Sequence, residues 1–376
     1  MRILTWTNTF WPGRGGLERL LTQLVPELGA RGHQQLVVTQ TLPEAAKQHA
    51  PLAIDVSLDW SSYAGQPVHR IPVTKCLDEK DVRGIAKATA DVRALRRDFG
   101  ADVVNMVMCG SDGLALLATD DGTPILAANH LSIPFWFASR GNVLSKTVER
   151  ADEVVVVSEA VRRETISLIP ESAGKLRKIL NGVPVTPDPP PLPGADPVIL
   201  MHGRLVAEKG FAMMLVAFSL LLEQRPDVRL VVAGDGYARQ GLEHLAKHLG
   251  VTSRVEFTGW VDECEIQRLI DRSSVVVVPS LWNEPFGLTA AEASERARPV
   301  VASRVGGLGE VVLDGETGML VQAGDPLQYA AAIDALLADP DRAAEMGAAG
   351  RRRIHDEFAI ERMIDEYEAA LQGLVR

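Results

Sequence analysis

Cysteine is scarce in this chain: Cys76, Cys109 and Cys264 are the only three in 376 residues. They are odd in number, widely separated and without paired metal-ligand spacing. Neither a disulfide framework nor a thiolate metal site is expected, and the usage fits a reducing compartment. No apolar run approaches the roughly 18 to 20 residues that a membrane-spanning helix needs. The opening Met1-Arg-Ile-Leu-Thr-Trp6 reads as a short buried strand rather than a signal peptide, so a cytoplasmic protein is expected. No repeat recurs at solenoid or propeller period. Excess positive charge is missing as well: the net charge of −10 disfavours a nucleic-acid partner. The deficit is uneven, +1 over residues 1–180 and −11 over 181–376, which fits either simple variation in surface charge or a first half that approaches an anionic partner or a membrane surface.

What is present is the composition of a soluble globular protein, 46% apolar and 23% charged, in a chain long enough for two domains with separate cores. Short β-branched runs alternate with helical patterns. Strands are expected at 2–6, 35–39, 102–106, 125–128 and 153–157, and helices at 17–29, 81–98, 112–119 and 159–168. Seven prolines then fall within residues 184–197, a density that neither helix nor central strand tolerates; a stiff linker and domain boundary are expected there. Beyond it, strands are expected at 198–201, 228–233, 254–258, 274–278 and 299–302, with helices at 209–224, 238–249, 262–272 and 288–296. The fold class is therefore α/β, two doubly wound domains, with the site expected in a cleft beyond the carboxyl ends of the strands.

The most informative local feature is Glu284-Pro-Phe-Gly-Leu-Thr-Ala-Ala-Glu292, directly after the apolar run Val275-Val-Val-Val-Pro279. Pro and Gly force a turn before a helix, so one carboxylate lies in the loop and the other on the first helical turns. The amides of Phe286, Gly287 and Leu288 are left at the helix N-terminus, where an anion or a sugar hydroxyl can be held. Four further places could carry chemistry at strand ends. Gly13-Arg-Gly-Gly16-Leu-Glu18 opens a helix after the first strand but lacks the full dinucleotide spacing. Gly203-Arg204-Leu-Val-Ala-Glu-Lys209-Gly210 sets two cations on a Gly-bounded loop, suited to a diphosphate or else simply solvated. Ala233-Gly234-Asp-Gly236 permits close backbone approach or is only a turn. His130, after the strand at 125–128, is a candidate hydroxyl donor, general acid or base, or a satisfied structural histidine.

Taken in order, these pieces resemble the retaining glycosyltransferases of GT-B architecture that carry a Glu-x7-Glu signature, glycosyltransferase family 4. The match includes Arg31-Gly-His33, Ser158-Glu159, Asn181-Gly-Val183, Phe257-Thr-Gly259 and Pro299-Val-Val-Ala-Ser303 beside the motifs above. The resemblance implies an N-terminal acceptor domain over 1–183, joined by a C-terminal helix at about 358–376, and a nucleotide-sugar domain over 198–357. It also implies roles. Arg204 and Lys209 would neutralise the donor diphosphate, with the Gly16 amide offered from the opposite domain. Glu284 would bind hydroxyls of the transferred sugar, helped by the amides of Phe286, Gly287 and Leu288. Glu292 would hold the ribose, backbone near Val261 would meet the nucleobase, and His130 would lie beside the reaction centre. Negative charge grows on the departing nucleoside diphosphate, and fixed cations with a helix N-terminus stabilise it. No cofactor or metal is expected; the single Asp-x-Asp, Asp339-Pro340-Asp341, reads as a helix cap.

The donor implied is a UDP- or GDP-linked sugar, the acceptor a glycan, glycolipid or small molecule. Alternatives are a GT-B nucleotide-sugar epimerase or a non-catalytic nucleotide-sugar-binding subunit. Where relatives place a small residue and Gly before Pro-Val-Val, this chain reads Glu295-Arg-Ala-Arg298, expected to change the surface. Arg83, Lys87, Arg93, Arg96 and Arg97 share one helix, expected as a solvated face or a peripheral contact with anionic lipid.

Overall fold

The computed structural model describes residues 1–13, 15–41, 61–108, 113–130, 142–194 and 196–375. Cys109 lies outside them. The chain forms two compact units, Met1–Asn181 with Glu361–Arg376, and Gly182–Ile360.

The first unit carries strands β1 (Arg2–Thr7), β2 (Gln34–Gln40), β3 (Ser62–Tyr63), β4 (Gln66–Ile71), β5 (Val103–Met108), β6 (Ile125–Asn129), β7 (Glu153–Val156) and β8 (Leu176–Lys178). Its described helices before residue 181 are α1 (Gly16–Ala30), α2 (Val73–Asp78), α3 (Val82–Phe99), α4 (Gly113–Leu117), α5 (Val143–Arg150) and α6 (Glu159–Leu168). The sheet order is β3-β4-β2-β1-β5-β6-β7-β8, parallel except for the short β3–β4 pair. Central strands buried on both faces explain why β6 and β7 are apolar apart from Asn129 and Glu153 at their ends.

The second unit contains β9 (Val198–His202), β10 (Arg229–Ala233), β11 (Val255–Gly259), β12 (Val275–Val278), β13 (Val300–Ser303) and β14 (Gly318–Val321). Its helices are α7 (Phe211–Leu222), α8 (Arg239–His248), α9 (Glu263–Asp271), α10 (Leu288–Glu295), α11 (Leu308–Val311), α12 (Pro326–Ala338) and α13 (Pro340–Glu357). All its strands are parallel in the order β11-β10-β9-β12-β13-β14. The order reverses between β9 and β12, the position beyond whose strand ends open parallel sheets place their ligands. α7 is apolar nearly all round and packs with α12 in the core, burying Phe211, Leu215, Phe218, Ile333 and Leu336.

The last helix, α14 (Ile360–Leu374), belongs to the first unit from Glu361 onward and buries Met363, Ile364, Tyr367 and Leu371. Arg31 Nη1 reaches Asp365 at 2.6 Å and Glu368 at 2.7 Å, and His33 Nε2 lies 2.7 Å from Glu368. Two residues of the Arg31-Gly-His33 motif therefore fasten this helix. Arg31 first, then His33, hold the Glu368 carboxyl below its usual range.

The proline run does not span between the units. The division falls at 181/182, where Val183 pairs with Ala359, and the run lies within the second unit. Proline has no N–H, but its carbonyl still accepts. Arg298 Nη2 donates to Pro190 O at 2.9 Å, Arg351 Nη2 to Thr186 O at 2.7 Å, and Leu192 packs on the core.

On α3, Arg83, Lys87, Arg93 and Arg97 are exposed, whereas Arg96 is buried and paired with Asp121. No helix among the described residues is long and apolar enough to cross a membrane.

Candidate active site

The site is built at the reversal of strand order in the second unit. Lys209, in the loop after β9, pairs with Glu284 Oε1 in the loop after β12, and Ser280 Oγ donates to the same oxygen at 2.6 Å. Glu284 is 5% exposed, so its charge is held by a cation and a hydroxyl rather than by water. The two loops touch through backbone: Leu281 N donates to Glu208 O at 2.8 Å. Gly210, at φ 73°, is required there, since a Cβ would stand 1.9 Å from Pro279 O. Gly307 N donates to Glu284 O at 2.7 Å, and a Cβ on neighbouring Gly306 would stand 2.1 Å from that carbonyl.

Immediately beyond Glu284 the chain enters α10. Gly287 is its N-cap and no side chain caps it, so the amides of Phe286, Gly287 and Leu288 lie at an open helix start beside the Lys209–Glu284 pair. Phe286 is 2% exposed and packs its ring on Phe358 at 5.7 Å, which fixes the helix entry. Glu292 stands on α10 with Oε2 3.7 Å from His202 Nε2, at the end of β9. Arg204 is exposed and makes no ion pair among the described residues. Its loop interlocks with the Gly234–Gly236 turn, Leu205 N donating to Asp235 O at 2.9 Å. Val261 follows β11, two residues past Gly259, whose carbonyl accepts from Gly234 N at 2.8 Å. The second unit thus brings Arg204, Lys209, Val261, Phe286, Gly287, Leu288, Glu284 and Glu292 to the carboxyl ends of β9, β11 and β12.

Three residues of this site carry no local sequence signal. Ser280 and His202 sit at strand ends among ordinary apolar runs. Trp282 holds Lys209 Nζ 5.8 Å from its ring centroid, and its indole N–H is buried without an acceptor.

Gly16 and His130 belong to the first unit. Gly16 opens α1 after β1, at that sheet's own reversal between β1 and β5, and Gly15 caps the helix without a side chain. The Glu18 carboxylate accepts from Thr9 Oγ1 and lies over this turn; Arg14 is outside the described residues. His130 follows β6, with Nε2 3.0 Å from the Tyr367 hydroxyl of α14. Desolvation pushes the His130 imidazole down to about 4, with the Asn181 side chain working the other way, and burial pushes the Tyr367 phenol up. At neutral pH the imidazole is uncharged, which fits a hydrogen-bonding partner.

Residues 295–298 do not change the surface. Glu295 is 3% and Arg298 1% exposed. Glu295 Oε1 accepts from Thr186 N at 3.0 Å and from Arg351 Nη1 at 2.7 Å, while Arg296 is bidentate on Asp271 at 2.7 Å. The charged helix end turns inward because the proline run covers it and supplies acceptors. Asp339 caps α13, accepting from Arg342 N at 3.1 Å with Pro340 in the first turn.

Residues 14–186 match the family described as Glycosyltransferase Family 4, and residues 185–353 the family of glycosyl transferases group 1. A GDP-mannose-dependent alpha-(1-6)-phosphatidylinositol monomannoside mannosyltransferase of Mycolicibacterium smegmatis is 31% identical over 95% of this chain and 94% of its own length. The glycogen synthase of Mycobacterium tuberculosis is 32% identical over 57% of this chain, which spans 53% of that relative. Among solved structures, the sucrose-phosphate synthase of Thermosynechococcus elongatus superposes with TM-score 0.83 at 24% identity, over 99% of this chain and 98% of its own. Anabaena HepE, solved with UDP and glucose, superposes at 0.77 and 19% identity over 98% of this chain and 99% of its own. These neighbours share its fold, two parallel-sheet α/β domains of the GT-B type, and the chain belongs to glycosyltransferase family 4.

Proposed function

We propose that this chain is a retaining glycosyltransferase that moves a hexose-type sugar from a UDP- or GDP-linked donor to an acceptor hydroxyl without a metal. The observation that carries the reading is the Lys209–Glu284–Ser280 cluster beside the open N-terminus of α10. As the bond from anomeric carbon to phosphate breaks, Lys209, Arg204 and the α10 amides stabilise charge on the leaving diphosphate. Glu284 accepts hydrogen bonds from the transferred sugar, Ser280 and Lys209 fixing its orientation, and Glu292 grips the ribose. Trp282 offers its indole N–H to the sugar or phosphate. The leaving phosphate takes the acceptor's proton as the new bond forms on the same face. Glycosyltransferase relatives that use a nucleotide sugar support the class of donor, and a full-length relative acting on a phosphatidylinositol mannoside makes a glycolipid acceptor a reasonable first choice.

The test is a panel of UDP- and GDP-sugars, scored first by thermal stabilisation and then by slow donor hydrolysis. Stabilisation with release of free sugar is expected for one donor. Epimerised product without hydrolysis would instead make the protein an epimerase, and binding with no chemistry a nucleotide-sugar-binding subunit.

A further inference from the structure

The inward-turned charges at 295–298 border a cavity that the reaction does not use. It measures about 520 Å³, is widely open to solvent and lies wholly within the second unit. One wall is the proline run at residues 188–192; the other is α13 through Ala344, Ala348 and Arg352, and Arg298 contributes to the lining.

The charge around it is unbalanced. Arg296 is matched by Asp271 and Arg351 by Glu295. Arg298, although 1% exposed, donates only to backbone carbonyls, those of Ile270, Asp271, Pro190 and Pro191, and no carboxylate of the described residues lies within ion-pair distance. Its Nη1 has no partner among the described residues. Arg352 on the rim has neither a hydrogen bond nor an ion pair among the described residues, and Asp188, the one acidic residue of the lining, is solvent-exposed and pairs with Arg351 Nη2 at 3.5 Å rather than with Arg298 or Arg352. A buried cation without a counter-charge is costly; Arg298 is one, and the exposed guanidinium of Arg352 stands unpaired in the same apolar-walled lining. Guanidinium N–H groups match the oxygens of a phosphate dianion, Arg298 through its Nη1 and Arg352 through a whole fork, and the two charges match its charge. The volume exceeds that of a bare anion, and the proline and alanine walls suit an organic body.

We propose that this cavity binds the phosphate group of a small phosphorylated molecule, with Arg298 and Arg352 supplying the charge and the proline run the apolar contact. Such a site is separate from the donor loops at Arg204 and Lys209. Thermal unfolding of the full chain tests it, in sodium phosphate, in glycerol 3-phosphate, and in sodium chloride at matched ionic strength. A saturable rise in Tm is expected with the phosphates and not with chloride. Arg352→Glu, at an exposed residue that holds nothing in place, should raise the half-saturating concentration at least tenfold, and Lys209→Ala should leave it unchanged. Half-saturation by glycerol 3-phosphate at lower concentration than by inorganic phosphate supports an ester ligand, and equal values support recognition of the anion alone. A response no larger than that to chloride, a half-saturation unmoved by Arg352→Glu, or a response abolished by Lys209→Ala overturns the proposal.

Discussion

Lys209→Ala asks whether the leaving group is stabilised where the site places its cation. Lys209 Nζ is held by Glu284 and rests 5.8 Å from the Trp282 ring centroid, so its position is set before any donor arrives. A fixed charge about 4 Å from a diphosphate oxygen, at an effective dielectric near 20, contributes about 4 kcal/mol. If that interaction grows mainly in the transition state, kcat falls about a thousandfold, at about 1.4 kcal/mol per decade of rate. Glu284 adds to the loss: without the ammonium, a 5% exposed carboxylate keeps only the Ser280 hydroxyl among the described residues and repels the departing phosphate. Lys209→Arg keeps the charge and should retain most of the rate. The assay is release of nucleoside diphosphate at saturating donor, with Tm followed in parallel to separate chemistry from folding. A Lys209→Ala variant with kcat within about threefold of the parent at unchanged Tm would refute the reasoning. A loss confined to KM would reassign Lys209 to ground-state binding.

Glu292→Ala should raise donor KM about ten- to a hundredfold while kcat changes little, because a charged acceptor of ribose hydroxyls contributes about 1.5–3 kcal/mol of binding; varying donor at fixed acceptor checks this. His130 titrates near 4 when folded against 6.5 in the unfolded chain. Between those values the unfolded chain binds a proton that the folded one refuses. Stability is therefore lost as pH falls from about 6.5 toward 4, by about 3 kcal/mol in all. His130→Gln should flatten that part of the curve in urea melts at pH 7 and pH 5, and an identical pH dependence in both proteins would contradict the assigned burial. Ala297 sits at φ 53°, a conformation that costs an L-residue about 1–2 kcal/mol. Ala297→Gly relieves it at the expense of a more flexible unfolded chain, for a net gain of about 0.5–1 kcal/mol read as a raised Tm; a lowered Tm would mean that the Ala297 methyl packs better than its backbone suggests.

The parts of this molecule that sequence made legible are those whose signal is local. Val275–Val278 and the run 125–128 read as strands because a parallel strand buried on both faces is apolar along most of its length. The loops at Gly203-Arg204, Gly234-Asp235 and Pro285-Phe286-Gly287 read as sites because glycine and proline punctuate them at strand ends. The short pairings β3–β4 and β8 carry too few residues for any period to show. Ser280, Trp282 and His202 needed the fold, because the reversal of strand order juxtaposes segments about 75 residues apart, as the Lys209–Glu284 pair shows. The largest misreading came from charge: Glu295, Arg296 and Arg298 look solvated by composition, as such residues usually are. A proline run more than 100 residues away covers them and takes their hydrogen bonds. The same run looked like a spacer because composition reports stiffness and says nothing of what the carbonyls accept.

The return of α14 to the first unit has a consequence for the order in which this protein is made. The second unit, Gly182–Ile360, is one uninterrupted stretch inserted into a first unit whose sequence is split around it. During synthesis the segment that begins the chain waits for its closing helix until the entire second unit has emerged. Until then the partners of Met363, Ile364, Tyr367 and Leu371 stay uncovered, and Arg31 and His33 lack the acids that fasten them. His130 is likewise without Tyr367 until the end. The half that comes first in sequence is thus the half completed last, and a chain cut short before residue 361 would carry a finished second unit and an unfinished first one.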